Sequence, residues 1–265
     1  MAVHGDDVAV PVCADQPDLQ PFHRGVDVAS GAGARGFLTE GDTGWGTWQS
    51  LIDERYPKSP VYRVFWGAKE LKSFGVLGAD LAGKTAASQA VKSLAQRGIR
   101  GASIPGLNGL LLAHGVARNP WSVAKSRADM TGAVLAVLLA RTDTPEFVLV
   151  GHSLGARVMA RTAQLLGSDD RLKRPKLREV HLLACALSTG GDWRTLDESA
   201  SRTVWNYRSR NDWVLNYLYK YAQLGHPAVG VKGFGGKHAH IKDRDVSRSV
   251  HSHSDYFDRV HLVGN

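Results

Sequence analysis

Residues 147–157 read FVLVGHSLGAR, and no other stretch narrows the fold as far. Four apolar residues, Phe147 to Val150, lead into Gly151-His152-Ser153-Leu154-Gly155. Beyond them Val158, Met159, Leu165 and Leu166 recur at helical spacing, with Arg157, Arg161 and Gln164 in between. A short apolar run bounded by Pro145 predicts a strand of a parallel sheet, buried on both faces. A strand that turns into a helix within G-x-S-x-G must bend sharply. Glycines two positions either side of the serine let neighbouring backbone close in, and the hydroxyl is pushed out from the end of the sheet. The amide that follows the serine then points to where an oxyanion would form. The plainer reading is a strand–turn–helix that happens to carry a serine.

The rest of the chain alternates in the same way. Strands are expected at residues 26–29 (an edge strand), 61–66, 147–150, 180–186 and 203–207. Helices are expected at 51–56, 68–74, 79–96, 121–140 and 212–221; Asn119 caps the long one and Pro120 sits at its first position. Strands alternating with helices imply an α/β fold with a mostly parallel sheet covered on both faces. At 265 residues, 43% hydrophobic and 22% charged, the chain suits one such domain over 1–265, with 67–118 as a helical cap or insertion. Leu107, Leu110, Leu111 and Leu112 in that insertion suit an acyl pocket or ordinary helix packing. Trp45, Trp48, Trp193 and Trp213 are expected in loops at the carboxyl edge of the sheet, lining a pocket or meeting a membrane surface.

The formal charge of +8 is spread along the sequence. Its densest run, residues 171–178, reads as a solvated loop, and no nucleic-acid motif accompanies it. Cys13 and Cys185 are too few and too far apart for a disulfide framework or a zinc site, so Cys185 reads as a core thiol. The first residues lack a basic stretch followed by an apolar core, and the apolar run at 104–116 is too short and glycine-rich to span a bilayer. A cytoplasmic or otherwise soluble protein is expected, with room for peripheral membrane contact.

Gly31-Ala-Gly-Ala-Arg-Gly36 matches the dinucleotide fingerprint G-x-G-x-x-G. The fingerprint needs a helix opening inside it and an acid ending the next strand. Residues 37–46 are poor helix formers, and the next strand ends in Phe65-Trp66. A strand running into Gly36-Phe37-Leu38 fits better. Its loop would supply the second oxyanion donor, from Phe37 or alternatively Leu38, beside the Leu154 amide. No cofactor is expected.

A serine elbow needs a base and an acid downstream, in the order Ser, Asp or Glu, His. Asp212 follows the strand at 203–207, and Asp192 follows the one at 180–186; Asp212 could instead cap the helix after it. His251 and His253 lie near the end, with His238 and His240 upstream. The two His-x-His pairs lack a third ligand at motif spacing, so no metal site is expected. His152 reads as a packing residue pointing away from the serine.

Several segments together resemble a family of α/β-hydrolase-like domains of undefined activity that includes eukaryotic transmembrane and coiled-coil domain proteins. They are Gly36-Phe-Leu-Thr-Glu-Gly-Asp, Asn119-Pro-Trp-Ser-Val-Ala with Arg127-Ala and Gly132, the elbow through Gly155-Ala-Arg-Val, Asn206-Tyr-Arg-Ser-Arg-Asn-Asp-Trp-Val-Leu with Leu218-Tyr, and the terminal His253-Ser-Asp-Tyr256. The likeness spans roughly residues 30–257. It implies an α/β-hydrolase fold with Ser153 as nucleophile, Asp212 as acid and His253 as base, favouring these over Asp192 and His251. The expected activity is hydrolysis of a carboxylic ester, a lipid or phospholipid ester among the candidates, in the manner of an esterase or lipase. A non-catalytic scaffold that kept the fold and an acyltransferase are the alternatives.

Overall fold

The computed structural model describes residues 30–34, 48–57, 59–64, 66, 120–168, 176–219 and 226–264. In chain order these form β1 (Ser30–Ala34), α1 (Trp48–Arg55), β2 (Val61–Val64), α2 (Pro120–Arg141), β3 (Phe147–His152), α3 (Leu154–Gly167), β4 (Leu177–Leu183), α4 (Arg194–Asp197), β5 (Ala200–Arg208), a π-helical turn (Val214–Tyr219), α5 (Val229–Lys232), β6 (Ile241–Asp245) and α6 (Tyr256–Arg259). The expected insertion at 67–118, Trp45, Phe37 and Leu38 all lie outside the described residues.

The described strands form one sheet in the order β2-β1-β3-β4-β5-β6, every pair parallel. The chain leaves β1 towards one edge and then crosses back to β3 before building towards the other. The strand order therefore reverses between β1 and β3, where Ala34 and Gly151 lie side by side. Sheets of this kind bind ligands outside the carboxyl ends of the strands at such a reversal.

β3 is buried at all six positions, as its apolar run predicts. Val148 and Val150 face a core shared with Leu51 and Ile52 of α1 and Tyr256 of α6. Phe147 and Leu149 face the opposite core with Leu135 and Leu139 of α2 and Met159 and Ala163 of α3. Apolar side chains thus leave the sheet from both faces, which a parallel sheet requires. Gly132 explains how α2 and α3 lie so close. A Cβ there would stand 2.8 Å from both Cβ of Arg161 and the carbonyl of Val158. Arg157 locks the same pair of helices with a two-pronged ion pair to Asp129, both contacts at 2.8 Å.

Some expectations change. β1 occupies residues 30–34 inside the sheet, between β2 and β3, and the edge strand expected at 26–29 lies outside the described residues. Gly31 and Gly33 are strand residues within β1, so the glycine turn of a dinucleotide site does not form there. β4 ends at Leu183, short of the expected residue 186, because Ala184 turns into the left-handed region at φ 48°. Trp48 and Trp193 are core residues, packed edge-on against Phe257 at 4.9 Å and Phe234 at 5.0 Å, rather than pocket or membrane-facing loop residues. β6 has no counterpart in the sequence reading. Its Lys242, Asp243, Arg244 and Asp245 are exposed and only Ile241 is buried, a composition that protects a sheet edge.

A polar chain runs through the core beneath β4. The Tyr56 hydroxyl donates to Glu179 Oε2 at 2.5 Å, and His181 joins Tyr56 at 2.7 Å through Nε2 and Tyr207 at 2.9 Å through Nδ1. The Tyr207 oxygen accepts the Val263 amide at 2.9 Å. Since Tyr56 spends its one proton on Glu179, His181 Nε2–H donates to it. Burial, reinforced by the charge of Arg55, lowers the pKa of His181 to about 3. The histidine is therefore neutral, and its Nδ1 accepts from the Tyr207 hydroxyl. Burial also pushes the Cys185 thiol up to about 12, which makes it the inert core residue expected.

Candidate functional site

Ser153 sits between the last residue of β3 and the first of α3, with φ 59° and ψ −122°. A non-glycine residue in that region costs about 1–3 kcal/mol and persists only where its surroundings force it. Here they do. The Ser153 amide donates to the Leu183 carbonyl at 2.9 Å, and the Ser153 carbonyl accepts from the amides of Arg157 at 3.2 Å and Ala186 at 3.3 Å. Gly151 allows the bend, for a Cβ on it would lie 2.5 Å from the Gly155 oxygen and 2.8 Å from Cα of Ala156. All of these neighbours are backbone of the first turn of α3, which leaves no flexible group to give way. Gly151→Ala is expected to lower unfolding free energy by about 3 kcal/mol, read by chemical denaturation, with the slope unchanged.

Asp212 and His253 meet, although 41 residues separate them: His253 Nδ1 lies 2.7 Å from Asp212 Oδ2. Asp212 is fully buried and His253 is buried beside it. The loops that carry them are stitched together. Ser209 Oγ donates to the Val250 carbonyl at 2.8 Å, Asn211 Nδ2 donates to the Ser247 carbonyl at 2.6 Å, and Ser247 Oγ accepts the Arg210 amide at 2.9 Å. Thus the Ser-Arg-Asn-Asp run after β5 holds the loop that leads to His253. Asp212 also caps the π-helical turn, its Oδ1 accepting the Leu215 amide at 3.1 Å. Capping and pairing, rivals in the sequence, are divided between its two oxygens. Fully buried Tyr256 lies close by; burial, and next the Asp212 carboxylate, hold its hydroxyl well above the ordinary range.

The alternatives fall elsewhere. Asp192 is exposed and paired with Arg194 at 2.6 Å, and hydrogen bonds from that arginine hold its pKa down to about 2. His251 is exposed beside Asn211, with 3.5 Å between its Nδ1 and the amide nitrogen. Leu154 is fully buried at the first position of α3, where helical amides have no partner within the helix. Phe37, the other expected donor, is outside the described residues. Among the described residues no cluster of three His, Cys, Asp or Glu side chains could hold a metal ion.

His152 carries more than the sequence suggested. Its ring packs 4.7 Å from the ring of His253 and 4.8 Å from Phe257, and its Nε2 lies 2.8 Å from the His253 carbonyl. That contact ties the residue before Ser153 to the residue paired with Asp212. Its only trace in the sequence is a histidine beside the serine, which says nothing about a partner 101 positions away.

Comparison with known proteins gives relatives without a defined chemistry. The chain is 28% identical to a transmembrane and coiled-coil domain-containing protein of Oryza sativa subsp. japonica, over 58% of the chain and 23% of that protein. It is 31% identical to an uncharacterized membrane protein of Caenorhabditis elegans, over 59% of the chain and 26% of that protein. The matched part thus spans about a quarter of each relative. No solved structure matches. These names overturn the expectation of a cytoplasmic or otherwise soluble protein. Among the described residues no helix is long and apolar enough to cross a membrane. The profile of one family covers residues 34–263, so the chain belongs to the family described as Protein of unknown function (DUF726).

Proposed function

We propose that this protein is a serine hydrolase of the α/β-hydrolase fold that cleaves a carboxylic ester, with a lipid ester as the substrate class. One observation carries the reading: a strained, buried Ser153 at the carboxyl end of a central strand, next to the residue whose ring packs on the Asp212-paired His253. The order Ser153, Asp212, His253, after the ends of β3, β5 and β6, fits that fold. The membrane names of the two relatives fit an ester presented at a lipid surface.

Asp212 takes the proton-bearing Nδ1 of His253 as its partner, so Nε2 is left as the basic nitrogen. Nε2 removes the Ser153 proton as Oγ attacks the ester carbonyl. Asp212 stabilises the imidazolium that results. The Leu154 amide receives the oxyanion, a contact worth about 3 kcal/mol in the transition state, with Phe37 or Leu38 as the second donor that the sequence pattern suggests. Collapse expels the alcohol, which takes its proton from Nε2. Water, deprotonated by the same nitrogen, then attacks the acyl-enzyme and frees the acid and Ser153.

A fluorophosphonate probe tests this directly. Wild type is expected to be labelled at Ser153 and to hydrolyse esters from a panel of increasing acyl length, while Ser153→Ala does neither. Folded wild-type protein that resists the probe and leaves every ester intact would instead mark a scaffold. Acyl transfer to added alcohols in preference to water would mark an acyltransferase.

A further inference from the structure

We infer that His152 is a positioning residue that holds His253 at the height and angle needed to reach Ser153. The inference rests on the hydrolase reading and adds to it a part that the nucleophile, acid and base do not supply.

Asp212 fixes one point of His253, namely Nδ1. A hydrogen bond to one carboxylate oxygen leaves the tilt of a ring about that contact to its other neighbours. The segment bearing His253 lies in a stretch of turns between β6 and α6, and its ties to the Asp212 loop run through Ser247 and Val250, which place the backbone leading to His253 rather than its ring. His152 adds a second and a third point. The His253 carbonyl can only accept, so the 2.8 Å contact requires a proton on His152 Nε2. The two rings pack in a tilted contact, 50° between their planes and 4.7 Å between centroids, which blocks rotation of His253 towards β3. His152 is in turn wedged by Phe257 at 4.8 Å and Tyr256 at 5.5 Å, and Phe257 packs on Trp48 of α1.

The location of this tie gives it its consequence. Residues 152 and 153 are adjacent, so their side chains leave the strand end in different directions while their backbones move as one. A base anchored to residue 152 is thereby anchored to the frame of the nucleophile. Displacements of about 1 Å between reacting groups cost on the order of a hundredfold in rate. Losing the tie should therefore reduce turnover more than substrate binding, because the ester does not need it in order to bind.

Three variants separate this role from plain packing. His152→Phe keeps a ring and loses the donor. His152→Gln places an amide N–H near the position of Nε2, and His152→Asn places one near Nδ1, short of the carbonyl. kcat and KM would be measured with a soluble p-nitrophenyl ester, alongside thermal midpoints and fluorophosphonate labelling rates. The Phe and Asn variants are expected to lose about 30- to 100-fold in kcat with KM changed less than about threefold, and Gln to recover most of it. If Phe fails to fold, the Gln and Asn pair alone decides. Equal kcat in Gln and Asn, or wild-type kcat in Phe, overturns the role of His152 and leaves the hydrolase reading standing. A wild type without Ser153-dependent turnover overturns both.

Discussion

Asp212→Asn is expected to lower kcat by about 10⁴-fold while the protein stays folded. The two oxygens of Asp212 serve different partners. Oδ1 accepts the Leu215 amide and Oδ2 faces His253 Nδ1. Asparagine can still accept from Leu215 through its carbonyl oxygen, so the π-helical turn keeps its cap. Its amide nitrogen then faces Nδ1 and can only donate. That reverses the tautomer of His253: the proton moves to Nε2, the nitrogen that must accept from Ser153. The ring stays in place with its useful lone pair on the wrong side. Substrate binding should be nearly unaffected, so the loss falls on kcat with KM little changed. Thermal midpoints of variant and wild type, measured together, separate lost chemistry from lost fold. A folded variant that keeps more than a tenth of wild-type kcat would remove Asp212 from the mechanism.

Acid should weaken the fold through His181 before it reaches the carboxylates. The folded protein holds this histidine neutral, with a pKa of about 3 against an ordinary 6.5, first because of burial and then because of Arg55. Between those values the unfolded chain binds a proton that the folded one does not. The stabilising effect of a neutral His181 is therefore whole above pH 6.5 and drains away as pH falls towards 3. The full effect is on the order of 5 kcal/mol, with a limiting slope of about 1.4 kcal/mol per pH unit. The geometry gives the same sign, because a protonated Nδ1 can no longer accept from the Tyr207 hydroxyl. Denaturant midpoints between pH 7 and 5 would be compared for wild type and His181→Gln. The variant should be less stable at pH 7 and clearly flatter with pH. Parallel curves would show that the histidine does not govern the acid response.

The two sites differ in how much of each could be read from the residues. The elbow was legible because its signals are local. A buried strand, a tight turn and an amphipathic helix each leave their period or their glycines within a dozen positions. Asp212 and His253 were found by chain order and family likeness, with Asp192 and His251 left open beside them; their 2.7 Å contact settles the pairing geometry. The chain from Glu179 to Tyr207 left no trace. Glu179 and His181 interrupt an apolar run in β4, and only the assembled sheet shows that Tyr56 from α1 and Tyr207 from β5 satisfy them. β6 was invisible for a related reason. Its backbone pairs with β5 while four of its five residues are exposed and charged, so the pairing leaves no hydrophobic period.

By itself the sequence determined the α/β alternation, the bend at Ser153 and the buried strand beneath it, because short-range sterics and periodic burial are written in neighbouring residues. Tertiary structure alone showed the contact that joins Asp212 to His253, that His152 grips the His253 backbone, and that a strand with four charged residues of five pairs with β5. Those outcomes depend on distances between chain segments tens to a hundred residues apart, and hydrogen bonds across such gaps impose no pattern on the residues in between.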